Sequence, residues 1–234
     1  NEVKLVYSDA HPEVRVLAAI QYPLSNLSMT ELVQKVSKMS DKKKKQLLKT
    51  ITAHRLHRTH KVPRGFEHAQ FTFDITSDIG AYRDLQRHRM MTQQRQLYTT
   101  QLGYIIPAEL ENYPELKQRY VTALTEAAQL YEKMRVQLPL EAQYIVPFGF
   151  RIRYSFHLNL REAIHLTELR STSQGHPSYR MIAQEMAKQI IKKVPLFAEL
   201  FPFVDYNSYE LERLKAFQRV AAKAKKAGIK VFED

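Results

Sequence analysis

A dense group of cationic side chains lies in the segment AYRDLQRHRMMTQQRQLYTTQLGY, residues 81–104. Its first fifteen residues contain four arginines and one histidine, and amide and hydroxyl side chains lie among and after them. Arginine binds phosphate oxygens through two parallel hydrogen bonds, so such a cluster suits an anionic ligand. Arg87 and Arg89 converge on one ligand only if the helix that contains Arg83 ends near His88. The alternative is an amphipathic helix whose basic face is exposed to water.

A second basic surface follows from the most regular alternation in the sequence. From Phe148 to Leu158, aromatic and aliphatic residues alternate with polar ones, which predicts a strand with one face in the core. The opposite face presents Arg151 and Arg153, followed by a histidine and an asparagine. Two arginines on an exposed strand face commonly lie in water or pair with carboxylates, and this is the alternative to a ligand site.

The segment NLREAIHLTELR continues directly from that strand. Asn159 is a typical helix N-cap, and Glu162 is placed to be its reciprocal capping partner three residues later. The predicted helix has Arg161 and His165 on one stripe, and it ends at Arg170. A cation at that end complements the helix dipole even when it has no other role.

Hydrophobic periodicity predicts the elements that position these residues. The predicted strands are residues 3–8, 67–75 and 148–158, and the predicted helices are 11–23, 29–39, 41–56, one from Ser77 or Asp78, 114 to about 137, 160–170, 177–193 and 209–226. The fold class is therefore α+β, with helices dominant. No internal repeat, low-complexity tract or Gly/Ser linker divides the chain, so we expect one domain over residues 1–234. The start at Asn1 suggests that this domain is cut from a longer polypeptide.

The composition restricts the classes of partner. A net charge of +12 favours anionic partners such as nucleic acid, acidic membrane or phosphorylated small molecules. Lysines cluster at residues 42–45 and again over 215–230, and each cluster is typical of a solvated helix face. No apolar run has the length of a membrane span, and the absence of cysteine fits a reducing, cytoplasmic setting.

Several kinds of catalytic site are not expected. Six scattered glycines form neither a phosphate-binding loop nor a nucleophile elbow. Four histidines at positions 54, 57, 60 and 68 lack the paired spacing with a nearby carboxylate that a zinc protease helix has, so we expect no metal site. No base-reading motif accompanies the lysines, so a nucleic-acid partner is the third hypothesis, behind two that follow from a family resemblance.

Three blocks together resemble the flavin-dependent thymidylate synthases. The blocks are FEHAQFTF (residues 66–73), RHR (87–89) and NLREAIHLTELR (159–170), in the order and with the separations of that family. The opening VKLVYSDAHPE resembles the family's first strand and turn, so the resemblance covers nearly the whole chain. It implies an α+β fold with a mixed sheet and a large helical part. It also implies a homotetramer that builds each active site from several subunits.

The resemblance implies a reaction and a set of site residues. The reaction is reductive methylation of dUMP to dTMP, with methylenetetrahydrofolate as the carbon donor, FAD as the cofactor and NADPH as the reductant. The residues implied to bind FAD are Arg87, His88, Arg89, Gln94, Asn159, Arg161, His165 and His176. The residues implied to bind dUMP are Arg87, Arg95, Arg153 and Arg170. Of these, Arg153 holds the phosphate, and Arg170, the catalytic residue, stabilises the ionised uracil.

The sequence also departs from the family pattern. After RHR the family carries a Ser-x-Arg pair that holds dUMP, and here the stretch MMTQQRQLYTT lacks it. Asp84 stands where a nucleotide-contacting Gln is common, His165 stands where Asn is common, and HKVPRGFEH has one extra residue. The first hypothesis is therefore a divergent synthase, in which Arg95 replaces the lost arginine. The second is a non-catalytic or changed-substrate paralogue that binds flavin and assembles with a partner domain.

Overall fold

In the part of the chain that the structure describes, four strands form one sheet. The computed structural model describes residues 1–209 and 218–224. The strands are β1 (Glu2–Ser8), β2 (Gln70–Asp78), β3 (Thr92–Arg95) and β4 (Arg151–Asn159), and they lie in the sheet in the order β1-β2-β4-β3. The α-helices within residues 1–209 are α1 (Pro12–Gln21), α2 (Met29–Ser37), α3 (Asp41–Thr52), α4 (Ile79–Leu85), α5 (Pro114–Met134), α6 (Leu160–Arg170) and α7 (Pro177–Lys193). Short 3-10 helices are Tyr22–Leu24, Arg64–His68, Ala108–Asn112, Glu141–Ile145 and Pro195–Leu200.

The α+β class and the large helical part are confirmed, but the expected mixed sheet is wrong in one respect. Every pairing between the described strands is antiparallel. The physical reason lies in the alternation itself. A strand that buries every second residue leaves its other face open, which antiparallel sheets allow, whereas parallel strands are normally covered on both faces.

The core lies on one face of the sheet. Alternate residues of β2 and β4 are almost fully buried there: Phe71, Phe73, Ile75, Ile152, Tyr154, Phe156 and Leu158. Helices α1, α4, α6 and α7 contribute buried side chains to the same cluster. The other face of the sheet is polar and half-buried. The α-helices that complete the core and the polar sheet face are thus separated by the thickness of the sheet.

The strand predicted to begin at Phe148 begins instead at Arg151. Phe148 is 59% exposed and lies in a turn, closed by a hydrogen bond from the backbone N–H of Phe150 to Pro147. Strand β3 is absent from the prediction because Thr92–Arg95 has no apolar alternation. Its pairing comes from the neighbouring β4 rather than from its own sequence.

The helix starts agree with the capping signals. Asp78 accepts a hydrogen bond from the backbone of Ala81 at the start of α4, and Ser77 remains in β2. The predicted helix over 209–226 lies mostly outside the described residues, of which 218–224 are helical. Among the described helices, none has both the length and the apolar character needed to cross a membrane.

Candidate functional site

The RHR block lies in the connection between α4 and β3. Helix α4 ends at Leu85, three residues before His88, which meets the condition for the two arginines to face one ligand. His88 is only 6% exposed, whereas its neighbours Arg87 and Arg89 are exposed. Gln93 donates hydrogen bonds to the carbonyl groups of Gln86 and His88, at 3.1 and 2.5 Å. The block therefore presents two arginines to solvent around one fixed histidine.

His88 links two residues of α6. Its Nδ1 lies 2.8 Å from Oε1 of Glu162, and the Nε of Arg170 donates to its Nε2 at 3.0 Å. Glu162, His88 and Arg170 thus form a row of three side chains. Glu162 comes from the NLRE part of α6, and Arg170 comes from its ELR part. The second and third blocks of the sequence thus meet at these three side chains, a carboxylate, an imidazole and a guanidinium.

Glu162 serves α6 differently from the prediction. Asn159 caps the helix, because its Oδ1 accepts a hydrogen bond from the backbone N–H of Glu162 at 2.9 Å. The reciprocal half of the expected capping box is missing, since the carboxylate of Glu162 contacts His88 instead of the backbone of Asn159. Asn159 therefore holds the start of the helix with the side chain that was expected to face the flavin.

Arg170 is fixed at one end of its guanidinium. Apart from the bond through Nε, no other hydrogen bond joins its side chain to the described residues, and the Tyr179 ring centre lies 5.6 Å from its Cζ. Its terminal N–H groups are thus available to a ligand. This geometry is more specific than the complement to the helix dipole that sequence position alone suggests.

His165 lies five residues before Arg170 on α6, and its ring packs near the ring of His88. The ring centres of His165 and His88 are 5.4 Å apart. Although the residue as a whole is exposed, burial of its ring lowers the pKa of His165. The positive charges of Arg58 and Lys61 act in the same direction, and Glu162 opposes them. His165 thus favours its neutral form within a largely cationic surface.

The FEH block contacts α6 through a second pair. Arg161 donates to Oε1 of Glu67 at 3.1 Å and to the carbonyl of Val62 at 3.1 Å. Hydrogen bonds from Arg64 are the main reason that the pKa of Glu67 is below its usual value. Glu67 also lines an open cavity of about 430 Å³ between the Arg64–His68 turn and the end of α1. Arg161, expected at the flavin, is thus tied to the first block.

Two other residues implied to bind flavin, His176 and Gln94, make no hydrogen bond to Glu162, His88 or Arg170. His176 is exposed and caps α7, because its Nδ1 accepts a hydrogen bond from the backbone N–H of Ser178. Gln94 is exposed and lies opposite Ser155 in the ladder between β3 and β4. Gln93, rather than Gln94, is the amide that contacts the RHR loop.

Two arginines implied at the nucleotide, Arg153 and Arg95, make no hydrogen bond to Arg170. Arg153 is on the polar face of the sheet, where its Nε donates to Thr76 at 3.3 Å. Helix α6, which ends at Arg170, packs on the opposite, apolar face. Arg95 is exposed, with its Cζ 4.2 Å from the centre of the Tyr98 ring. Arg153 and the body of α6 thus lie on opposite faces of the sheet.

Sequence reasoning missed the buried ion pair of Arg55 and Glu168. Arg55 donates to both carboxylate oxygens, at 3.1 and 2.5 Å, and both side chains are almost fully buried. The pair anchors the HRLHR segment to α6. The unusual density of cations in that segment was the available signal, but nothing in the sequence indicated the partner.

A second cavity is lined in part by the opening segment, Ser8 to Glu13, and by none of the RHR residues. This cavity of about 900 Å³ lies beside the start of α1, α3 and the end of α7, lined by both acids and lysines. Because no RHR residue lines it, cavity size does not identify the site. Within residues 1–209 and 218–224, no three His, Asp or Glu side chains are grouped to hold a metal ion.

Comparison with known sequences places these blocks in context. The sequence model of the family described as "Thymidylate synthase complementing protein" matches residues 4–196. A UPF0159 protein of Chlamydia muridarum (strain MoPn / Nigg) is 45% identical over 217 residues, which are 93% of this chain and 41% of that protein. The flavin-dependent thymidylate synthase of Thermococcus onnurineus (strain NA1) is 31% identical over 143 residues, which are 56% and 58% of the two chains. The chain spans less than half the length of its Chlamydia relative.

A solved structure has a similar fold. The UMP/dUMP methylase PolB from Streptomyces cacaoi, bound with 5-Br dUMP, superposes with a TM-score of 0.69. The match covers 86% of this chain and 94% of that chain, at 17% sequence identity. Similarity at this level of identity concerns the fold.

Proposed function

The chain belongs to the thymidylate synthase complementing protein family, and we propose that it is one unit of a flavin-dependent methyltransferase that converts dUMP to dTMP. Methylenetetrahydrofolate is the proposed carbon donor, and NADPH is the proposed reductant. The observation that carries this proposal is the guanidinium of Arg170, held at Nε by His88 with its terminal N–H groups available. The named activities of the Thermococcus and Streptomyces proteins support a uracil nucleotide as the substrate.

The proposed role of Arg170 is electrostatic. Methylation at C5 requires uracil to become electron-rich, and negative charge then develops on the oxygens of the ring. A guanidinium stays protonated at all relevant pH values, so it stabilises that charge without giving up its proton. A donor already held in place has little reorganisation to undergo as the charge develops, which is the advantage of a prearranged site.

The residues around Arg170 suit an anionic cofactor. Arg87 and Arg89 flank His88 as two exposed cations, which matches the phosphates of FAD. His165 lies beside them with a lowered pKa, so it presents a neutral, hydrogen-bonding ring to the cofactor. Reduced flavin would supply the hydride of the reaction, and the protein residues would bind and orient it.

The proposed site is completed by a second unit of the same fold. Arg153, expected to hold the phosphate of dUMP, lies across the sheet from Arg170. A ligand that contacts both arginines therefore takes them from different units. The chain covers 41% of its Chlamydia relative, so that relative has room for a further unit of this size. A homo-oligomer of this chain is the simplest assembly that supplies the second arginine.

The test begins with the visible absorption spectrum of protein that has been incubated with FAD and desalted. A retained flavin spectrum that changes on addition of dUMP supports the proposal. Production of dTMP from dUMP, methylenetetrahydrofolate and NADPH then establishes the reaction, and UMP in place of dUMP tests the sugar. If the desalted protein contains no flavin and makes no nucleotide product, the proposed function is rejected.

A non-catalytic or changed-substrate unit is the second candidate. The family Ser-x-Arg pair is absent, and Arg95, its possible replacement, stacks on Tyr98 and donates to the carbonyl of Gln96 at 2.9 Å. An arginine with these contacts is partly occupied before any nucleotide binds. Flavin binding without a spectral response to dUMP would favour this candidate, and methylation of dUMP by the isolated chain would reject it.

A further inference from the structure

The ring of His88 has no nitrogen left for a cofactor. Arg170 Nε is a donor, because a guanidinium has no acceptor atom, so His88 Nε2 must carry the lone pair. The single ring proton then lies on Nδ1 and is donated to Glu162 at 2.8 Å. The contacts thus define the protonation state of His88 as the neutral Nδ1–H tautomer.

The charges along this row agree with that assignment. Glu162 provides one negative charge and Arg170 one positive charge, with a neutral ring between them. A protonated His88 would direct an N–H toward the guanidinium of Arg170, so two donors and two positive charges would meet at 3.0 Å. That arrangement is unfavourable both as a hydrogen bond and as a charge pair.

The position of the ring is fixed from several sides. His88 and Glu162 are 6% and 8% exposed, and Gln93 holds the carbonyl of His88 at 2.5 Å. The backbone of Glu162 is bonded to the capping side chain of Asn159. A ligand at the surface therefore meets Arg87, Arg89 and the terminal groups of Arg170 before it meets the imidazole.

We propose that His88 is a positioning residue: held as the Nδ1–H tautomer by Glu162, it orients the guanidinium of Arg170 toward the uracil ring and does not itself bind the flavin. This inference rests on the proposed function for the identity of the substrate. The assignment of tautomer and of the Arg170 contact does not depend on it. The resemblance to the family implied a flavin contact for all three RHR residues, and here that role passes to the two arginines alone.

A spectroscopic measurement tests the tautomer without any ligand. Protein labelled with ¹⁵N at histidine is recorded at neutral pH, and the two ring nitrogens of His88 are identified by comparison with His88→Gln. We expect a protonated Nδ1 and an unprotonated Nε2. A ring protonated on Nε2, or on both nitrogens, overturns the proposal even if the chain is an active methyltransferase.

A pair of substitutions tests the positioning role. His88→Gln places an amide oxygen where Nε2 accepts from Arg170, whereas His88→Asn retains only the shorter reach toward Glu162. Loss of one hydrogen bond to a charged group predicts a fall of about 10- to 100-fold in kcat for His88→Asn. We expect rescue in His88→Gln to within a few-fold of the wild type, with equal flavin content in both variants.

Equal loss of kcat in the Gln and Asn variants, or loss of flavin from either folded variant, overturns the proposal. The matched controls are His157→Gln and His157→Asn, because His157 lies on the polar sheet face and bonds to Thr72. Both controls should behave alike. If the wild-type chain makes no dTMP, the proposed reaction fails, while the ¹⁵N spectrum still decides the tautomer and the affinity of each variant for dUMP still decides the positioning of Arg170.

Discussion

Arg55 and Glu168 form a two-point ion pair in the interior, with Nη2 and Oε2 2.5 Å apart and side-chain exposures of 6% and 2%. The Cζ of Arg55 also lies 5.2 Å from the centre of the Phe203 ring. Removing one member of such a pair leaves an uncompensated buried charge. We therefore expect Arg55→Met to lower the free energy of unfolding by about 3–5 kcal/mol, measured by urea denaturation.

The double variant Arg55→Met with Glu168→Leu is the control for this prediction. Because neither charge remains, its loss of stability should be smaller than the sum of the two single losses. Additive losses would show that the two side chains contribute independently, and would contradict a role for their pairing.

Arg87 and Arg89 are predicted to hold the flavin. Replacing both with alanine removes two exposed cations without disturbing the buried His88 between them, so we expect loss of the bound flavin with little change in Tm. The ratio of flavin to protein absorbance after desalting measures the result. Arg83→Ala is the matched control, because Arg83 is an exposed arginine of the preceding helix that lies over Phe148. Unchanged flavin in the double variant would place the site elsewhere.

Much of the fold is predictable because two of its strands are strongly amphipathic. The alternation in β2 and β4 predicts both strands and their buried faces, since a period of two matches no helix. The cap residues Asp78 and Asn159 predict the starts of two helices. Strand β3 was not predictable, because its four polar residues have no pattern and are ordered by the edge of β4.

The candidate site is only partly predictable for a different reason. The arginines are visible as residue types, but their partners are distant in sequence: 82 residues separate Arg170 from His88, and 113 separate Arg55 from Glu168. Local spacing predicts that Glu162 forms a capping box with Asn159. In the folded chain, the carboxylate of Glu162 contacts His88 instead. The placement of Arg153 and of α6 on opposite faces of the sheet likewise follows from the sheet topology, which no motif encodes.

Arg153 and Arg170 are predicted to act from different units of one assembly. Arg153→Ala should lose affinity for dUMP, and Arg170→Ala should lose methylation while keeping flavin, because each removes one half of the site. Mixing the two inactive variants under conditions that allow subunits to exchange should restore activity. Random pairing in a dimer would give about a quarter of the wild-type activity, since half of the dimers are hybrids and each hybrid has one intact site of two. A mixture as inactive as its components would contradict a shared site.

Gly65 is predicted to be necessary for stability, because the Arg64–His68 turn approaches α1 closely at this residue. A Cβ at this position would lie 2.5 Å from Cγ1 of Ile20 and 3.0 Å from its backbone nitrogen. We expect Gly65→Ala to lower the free energy of unfolding by about 1–3 kcal/mol, as overpacking does. Ile20→Ala in the same chain removes the nearer contact, so the two changes together should cost less than their sum. Full stability of Gly65→Ala alone would contradict the close approach.

His165 is predicted to make the stability of the chain depend on pH near neutrality. Burial lowers its pKa below the usual 6.5; the negative charge of Glu162 raises it, and the positive charges of Arg58 and Lys61 lower it. Because the folded pKa lies below the unfolded one, the unfolded chain binds the proton first. The stabilising effect is therefore fully present above pH 6.5 and is lost as the pH falls through the folded pKa.

Asparagine at this position does not titrate, so His165→Asn should show a shallower loss of stability between pH 7 and pH 5 than the wild type, measured as the midpoint of urea unfolding. An NMR titration of the His165 ring gives the pKa directly. Addition of dUMP or FAD should raise that pKa, because a bound phosphate adds negative charge to a surface that Arg58 and Lys61 make positive. A pKa at or above 6.5 in the ligand-free chain would contradict the burial of this ring, and an unchanged pKa with bound ligand would place the phosphate away from His165.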